Sequence, residues 1–192
     1  MPARVLVFSG SVRKGSFNLK LASLAARTLR DAGAEVTELN LREHPLPLYD
    51  GDDEAEHGPP EQAKRLHEIF RAHQGIFITS PEYNAGLSPL LKNTIDWVSR
   101  ISDHGGQGAA FGRPIFALGA ASPGPLGGYR GLMTLRQSLE LQLQARVLPA
   151  MVSVSSAHEA FDEAGGLKNE RTAKALTNLA SQLVAAANKL EG

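Results

Sequence analysis

The chain has 192 residues, of which 42% are hydrophobic and 21% are charged, and its basic and acidic side chains balance at 20 each. Because there is no net charge, there is no electrostatic reason to expect nucleic acid or an anionic membrane surface as a partner. The absence of cysteine excludes disulfides, thiol redox chemistry and cysteine-ligated zinc, so any redox activity would depend on a cofactor. We expect one cytoplasmic domain spanning residues 1–192, without a signal peptide or membrane insertion.

Strand-like and helix-like segments alternate along the chain, which predicts a parallel sheet with crossover helices. The predicted strands lie at residues 4–9, 35–39, 75–79 and 114–119, followed by a fifth that Pro149 splits before residues 151–154. The predicted helices begin near Leu19, Pro60 and Ser88, then run over residues 129–146 and 168–190. Residues 42–60 are expected to be a solvated connection and residues 100–112 a glycine-rich loop.

The first loop, residues 10–18, has the composition of a phosphate site. It reads GSVRKGSFN and lies between a buried strand and the start of a helix. At such a position, unpaired backbone N–H groups and the positive end of the helix dipole point toward the same place. The loop adds the hydroxyls of Ser11 and Ser16, the amide of Asn18 and the guanidinium of Arg13.

This loop differs from two better known nucleotide sites. A P-loop has Lys and then Ser or Thr after its second glycine, but here Ser16 occupies the lysine position. The three-glycine pattern of a dinucleotide-binding fold is also missing. A purely structural Gly/Ser turn remains as an alternative. The six histidines show no paired spacing, so no metal site is predicted.

Two further loops are expected at the same edge of the sheet. The second loop, residues 80–87, follows the third strand, and the third loop, residues 120–128, follows the fourth. With strand order 2-1-3-4-5, all three loops would converge on one ligand at the carboxyl ends of the strands. They would offer a phosphate cradle, an aromatic ring with amides, and a flat surface of small residues. Flavin mononucleotide (FMN) is a ligand of that shape.

Three stretches in this order resemble the NADPH-dependent FMN reductase family: GSVRKGSFN at 10–18, PEYN at 81–84 and KNTIDW at 92–97. The resemblance extends from about residue 4 to the end of the fifth strand. It implies a flavodoxin-like three-layer α/β sandwich with a five-stranded parallel sheet in the order 2-1-3-4-5. It also implies an NAD(P)H oxidoreductase that passes hydride through FMN to a small acceptor, such as a quinone, an azo compound, chromate or free flavin. A homodimer or homotetramer is expected.

The resemblance also implies which residues hold FMN. The phosphate would be bound by side chains of the first loop and the backbone N–H of Phe17. The second loop would run along the isoalloxazine ring, and the third loop would close its other side. The implied cofactor-binding residues are Ser11, Arg13, Ser16, Phe17, Asn18, Pro81, Glu82, Tyr83, Asn84, Ser122 and Gly124.

No catalytic acid or base is predicted, because hydride transfer to flavin N5 requires close stacking and exclusion of water more than proton transfer. On residue type alone, Glu82 beside Tyr83 is either part of a catalytic acid pair or a solvated loop carboxylate. Trp97 and Ile95 are either core residues or contacts between subunits. The choice between NADPH and NADH stays open. Two alternatives are a flavodoxin-type electron carrier and a flavin-binding module without a nicotinamide site, although such carriers are usually strongly acidic.

Overall fold

The computed structural model describes residues 1–190, so the last two residues of the predicted domain lie outside the described residues. Five parallel strands form one sheet in the order β2-β1-β3-β4-β5, which confirms the predicted order. The strands are β1 Arg4–Ser9, β2 Glu35–Leu39, β3 Gly75–Thr79, β4 Ile115–Ala121 and β5 Arg146–Val154. The α-helices are α1 Phe17–Asp31, α2 Gly51–His57, α3 Glu61–Arg71, α4 Pro89–Ser99, α5 Tyr129–Gln137 and α6 Glu170–Asn188.

Helices cover both faces of the sheet and make the predicted three-layer sandwich. On β1, Val5 and Val7 pack toward α1 and α6, whereas Leu6 and Phe8 pack toward α3, α4 and α5. Successive side chains of a strand point to opposite faces, so a central strand covered on both sides is apolar throughout. Within residues 1–190, no helix is long and apolar enough to cross a membrane.

The strands β1 and β3 end in line with each other, and the neighbouring β4 extends two residues further. Ser9 of β1 is paired with Thr79 of β3, and Thr79 is paired with Gly119 of β4. The ladder continues one step into the loops, because the N–H of Gly10 donates to Thr79 O at 2.7 Å and that of Ser80 donates to Gly119 O at 2.9 Å. The loops after β1, β3 and β4 therefore begin at the same edge.

Residues 42–60 are more ordered than the solvated connection that the sequence suggests. The acidic run begins α2, and the Asp50 carboxylate caps this helix by accepting from the Asp52 N–H at 2.8 Å. The carbonyl of Pro47 accepts from the Trp97 indole at 2.8 Å and from the Asn93 amide at 2.8 Å. Trp97 is 1% exposed, so this helix residue belongs to the core of the chain.

Two other segments, residues 100–112 and 138–142, contain π-helical turns that were not predicted. Residues 100–112 are not simply a loop, since they contain a short 3₁₀ turn and a π-helical turn that buries Phe111. The helix predicted to reach Arg146 ends as an α-helix at Gln137 and continues as a π-helical turn to Gln142. Arg146 instead begins β5.

Pro149 does not split β5 as predicted. The strand is continuous, and its register against β4 shifts between Phe116 and Leu118. Proline is tolerated at a bulge of an edge strand because its missing N–H is not needed in the ladder. Here the guanidinium of Arg136 donates to the carbonyls of Pro149 and Leu148 at 3.0 and 2.6 Å. These bonds replace ladder contacts that the bulge removes.

His73 joins the end of α3 to the edge strand β2. Its imidazole Nδ1 lies 2.7 Å from Ile69 O and therefore donates, while Nε2 lies 2.9 Å from the Thr37 hydroxyl and accepts. The side chain is 8% exposed. Burial lowers the pKa of His73 below its ordinary value of 6.5, and Arg4 adds to this, although the bond to Ile69 and the charge of Glu35 oppose it.

Because the folded protein holds His73 neutral, the unfolded chain binds more protons once the pH falls below about 6.5. The free energy of unfolding should therefore decrease as the pH falls from that value toward the folded pKa. His73→Gln, whose amide can still donate and accept, should flatten this dependence in urea unfolding at about pH 7.5 and pH 5. His158→Gln, at an exposed position, is the control. Equal acid sensitivity of His73→Gln and the parent would contradict the role given to His73.

Candidate functional site

A cleft of about 260 Å³ lies at the carboxyl edge of the sheet, between the first, second and third loops. Nine of the eleven residues predicted to bind the cofactor line it: Ser11, Arg13, Ser16, Phe17, Asn18, Pro81, Glu82, Tyr83 and Ser122. Asn84 and Gly124 do not line it, and sequence reasoning missed two residues that do, Ala121 and Pro123. Among residues 1–190, no three His, Asp or Glu side chains are clustered to hold a metal ion.

Ser16 ends the first loop and caps α1. Its hydroxyl oxygen accepts from the N–H groups of Asn18 and Leu19 at 3.2 and 3.4 Å, and Gly15 before it has φ +70°. The N–H of Phe17, in the first turn, has no hydrogen-bond partner within residues 1–190. The helix therefore presents a backbone donor, a hydroxyl proton and its positive dipole end at the cleft.

Arg13 is one of two exposed cations of the first loop, and it lines the cleft, which Lys14 does not. The buried Ser11 hydroxyl accepts from the Arg13 N–H at 3.4 Å, and the Arg13 carbonyl accepts from the Ser16 N–H at 3.1 Å, which closes the turn. Within residues 1–190 the Arg13 guanidinium is paired with no carboxylate, so its charge is available to a ligand.

Asn18 has a structural task in addition to its place in the cleft. Its side-chain carbonyl accepts from the Ala121 N–H at 3.0 Å, and its amide donates to Ala121 O at 2.9 Å. Its own carbonyl accepts from the Thr79 hydroxyl at 2.8 Å. Asn18 is 3% exposed, and it joins the ends of β3 and β4 to the first turn of α1. Its amide thus serves mainly to position the loops.

The second loop contains a tight hairpin turn. Tyr83 and Gly86 exchange backbone hydrogen bonds of 3.0 and 2.9 Å. Asn84 and Ala85 between them both have positive φ, at 50° and 63°, which is the pattern of a type I′ turn. The turn points Asn84 away from the cleft. The N–H groups of Glu82 and Asn84 have no hydrogen-bond partner within residues 1–190.

Glu82 holds the second loop against α5. Its carboxylate is paired with the Arg130 guanidinium, at 2.9 Å from Nε, and also accepts from the Gly131 N–H at 3.0 Å. Burial acts to raise the pKa of Glu82, but the hydrogen bonds from Arg130 and Gly131 outweigh it and hold the pKa below its usual value. A β-carbon at position 131 would lie 3.0 Å from Gly86 O, so a larger residue there would push the second loop outward.

The third loop begins later than predicted, because β4 continues through Ala121. The N–H of Ser122 donates to Val154 O at 3.0 Å, which ties the loop to the end of β5. The Ser122 hydroxyl accepts from the Gly124 N–H at 3.3 Å, and this bond turns Gly124 out of the cleft wall. Pro123 takes its place in the lining.

The chain matches a family model and several known proteins. The model for NADPH-dependent FMN reductase matches residues 3–159. The chain is 38% identical over 138 residues to the quinone reductase of Escherichia coli K12, covering 71% of this chain and 69% of that protein. It is 37% identical over 170 residues to the quinone reductase of Pseudomonas putida, covering 88% and 86%. Its structure is similar to FerB, a flavoenzyme NAD(P)H:(acceptor) oxidoreductase from Paracoccus denitrificans, with a TM-score of 0.76, 26% identity and coverage of 97% and 98%.

Asn18→Ala should lower the free energy of unfolding by about 2–4 kcal/mol, because it leaves the buried N–H and carbonyl of Ala121 without partners. Urea unfolding measures this. Ser23→Ala, on the exposed face of the same helix, should change it by less than about 0.5 kcal/mol. If the two substitutions lowered the free energy of unfolding equally, the hydrogen bonds between Asn18 and Ala121 would not be what holds the loops together.

Ala85→Gly should raise the free energy of unfolding by about 0.5 kcal/mol or more. The substitution creates the Asn-Gly pair that a type I′ turn prefers, and it removes the strain of a β-carbon at positive φ. This gain should exceed the cost of the greater conformational entropy that glycine gives the unfolded chain. Thermal unfolding checks it. Ala164→Gly, at an exposed site without positive φ, should instead lower stability slightly. A loss of stability in Ala85→Gly would contradict the turn geometry.

Proposed function

Because the chain belongs to the NADPH-dependent FMN reductase family, we propose that its FMN lies in the cleft of the three loops and that it reduces quinones. The chain is an FMN-dependent NAD(P)H oxidoreductase, as its family and its relatives indicate. The convergence of three strand-end loops on one cleft is the observation that carries the proposal. Residues 1–192 are taken to act as one domain.

The FMN phosphate is proposed to lie at the start of α1. The residues there match a dianion, since they combine the Phe17 N–H, the hydroxyls of Ser11 and Ser16, and the Arg13 guanidinium. Each hydrogen bond to a charged group contributes about 1.5–3 kcal/mol. Several such bonds anchor the phosphate without a metal. Asn18 supports this end by fixing the turn, because its amide already binds Ala121.

The flavin ring is proposed to lie between Pro81–Tyr83 on one side and Ser122–Pro123 on the other. The backbone N–H groups of Glu82 and Asn84 are suited to bind polar atoms at the ring edge. Gly124 would act indirectly, through its bond to the Ser122 hydroxyl. When bound, FMN supplies a ring that accepts hydride from NAD(P)H and passes electrons to an acceptor.

The protein's own part is to position and shield the ring rather than to transfer protons. Glu82 is the only carboxylate lining the cleft within residues 1–190, and its bonds to Arg130 and Gly131 hold its pKa below the usual value, so it is ionised at neutral pH. A carboxylate held in this way cannot donate a proton. The proposal therefore assigns no general acid or base.

A quinone is the acceptor we favour because both relatives named above are quinone reductases. NAD(P)H and the acceptor would use the same face of the ring in turn. Azo compounds, chromate and free flavin are further acceptors to screen. We also propose a cytoplasmic homodimer or homotetramer. Half-exposed apolar side chains near the cleft, Leu126, Tyr129 and Met133, support subunit contact there.

The function is tested by mixing the FMN-loaded protein with NADPH or NADH without oxygen, while the flavin absorbance is followed. Bleaching within seconds, followed by recovery when benzoquinone is added, is the expected result. Flavin that stays oxidised with both reductants would overturn the proposed reductase. Recovery with chromate or an azo dye but not with benzoquinone would overturn the choice of acceptor.

Arg13→Gln should raise the dissociation constant of FMN by about tenfold or more, since one charged contact to the phosphate is lost. Arg13 makes no ion pair within residues 1–190, so stability should be unchanged. Quenching of flavin fluorescence measures the binding. Arg171→Gln, exposed in the first turn of α6, is the matched control. Unchanged FMN affinity in Arg13→Gln would remove Arg13 from the phosphate site.

A further inference from the structure

The first loop and α1 carry a concentration of positive charge that the neutral composition of the chain conceals. Residues 10–30 contain five basic side chains and no acidic one. Arg30 is paired with Glu38 at 2.8 Å. The other four, at positions 13, 14, 20 and 27, are paired with no carboxylate within residues 1–190. The proposed FMN phosphate accounts for Arg13, which leaves the charges on α1 unexplained.

Two of these cations line a groove of about 310 Å³ between α1 and the segment before α6. Lys20 and Arg27 lie along its floor with Ser23, and Gly165 forms the far side. Ser16 lines this groove and also the cleft of the three loops, so the two sites are contiguous at the start of α1.

Both cations are held in place without neutralisation. The Lys20 ammonium lies 5.8 Å from the ring centre of Phe17 and 5.9 Å from that of Phe161. Such contacts position a cation and leave its N–H groups able to bind an anion. The Arg27 guanidinium donates to Gly165 O at 3.0 Å and to Ala164 O at 3.4 Å through one nitrogen, so its other N–H groups remain available.

We propose that this groove binds the 2′-phosphate of NADPH, with Lys20 and Arg27 as its counter-charges and Ser23 as a further hydrogen-bond donor. The inference rests on the proposed function, because a nicotinamide stacked on a flavin in the cleft leaves the adenosine end of the same molecule to be placed beyond Ser16. A phosphate monoester is a dianion, and the fixed ammonium and guanidinium suit it. NADH lacks this group, so Lys20 and Arg27 set a preference for NADPH.

Steady-state kinetics with a saturating quinone test the proposal. Lys20→Gln and Arg27→Gln should each raise KM for NADPH about tenfold and leave KM for NADH unchanged, since a lost charged contact is worth at least that factor. Lys174→Gln, exposed on α6, should alter neither. Lys20→Arg should restore most of the NADPH preference. Equal KM changes for the two reductants, or none, would overturn the proposal.

Direct binding measurements test the 2′-phosphate site separately from the proposed reductase function. In calorimetry with the FMN-loaded protein, adenosine 2′,5′-bisphosphate should bind at least tenfold tighter than adenosine 5′-monophosphate, and Lys20→Gln should remove the difference. Lys20→Gln should bind FMN as tightly as the parent, since Lys20 does not line the proposed FMN site. A lower FMN affinity would assign the groove to the flavin phosphate and overturn the inference. Rapid flavin bleaching by NADH in the same variant would show that the reductase itself is intact.

Discussion

The paired hydrogen bonds between the buried Asn18 amide and the backbone of Ala121 are the contact on which the site depends. They occur where β1 gives way to α1 and β4 gives way to the third loop, two places more than 100 residues apart in the chain. The Asn18 side chain both accepts from the N–H and donates to the carbonyl of the same residue, Ala121. With the Thr79 hydroxyl on its carbonyl, Asn18 also holds β3. The ends of three neighbouring strands are thus fixed to one helix.

Polar groups in the cleft consequently divide into two kinds. Groups of the first kind fix the three loops and have hydrogen-bond partners inside the protein: the Asn18 amide, the Glu82 carboxylate and the oxygen of the Ser16 hydroxyl. Those that remain available are backbone N–H groups, hydroxyl protons and the Arg13 guanidinium. Two of these groups at the start of α1, the Phe17 N–H and the Arg13 guanidinium, can only donate, and donors without acceptors favour an anion. This separation gives a physical reason why a phosphate, rather than a sugar or a base, is expected at the start of α1.

Local signals in the sequence predict most of this architecture, and the predictions that were wrong have identifiable causes. The apolar runs fix β1 and β3, and Gly and Ser mark the first loop. The hydrogen bond from Trp97 to the Pro47 carbonyl joins residues 50 positions apart and leaves no local signal in the sequence. Residues 42–60 were therefore predicted to be a solvated connection. The small residues Ala120 and Ala121 read as loop but extend β4, because packing rather than propensity decides there. Asn18, a predicted cofactor ligand, lies in the cleft, but the sequence indicates neither its partner Ala121 nor the turn that keeps Asn84 out of the cleft lining.

The composition of the cleft has a consequence for the durability of the protein. Thiolates add to quinones, which are the proposed acceptors, so a cysteine in a site that binds a quinone is exposed to alkylation. The lining here consists of Ser, Arg, Phe, Asn, Pro, Glu, Tyr and Ala, and the chain contains no cysteine at all. Alkylation of a thiol is therefore not a route to inactivation of this chain. A catalyst made in this way can handle soft electrophiles without being consumed at a thiol by them.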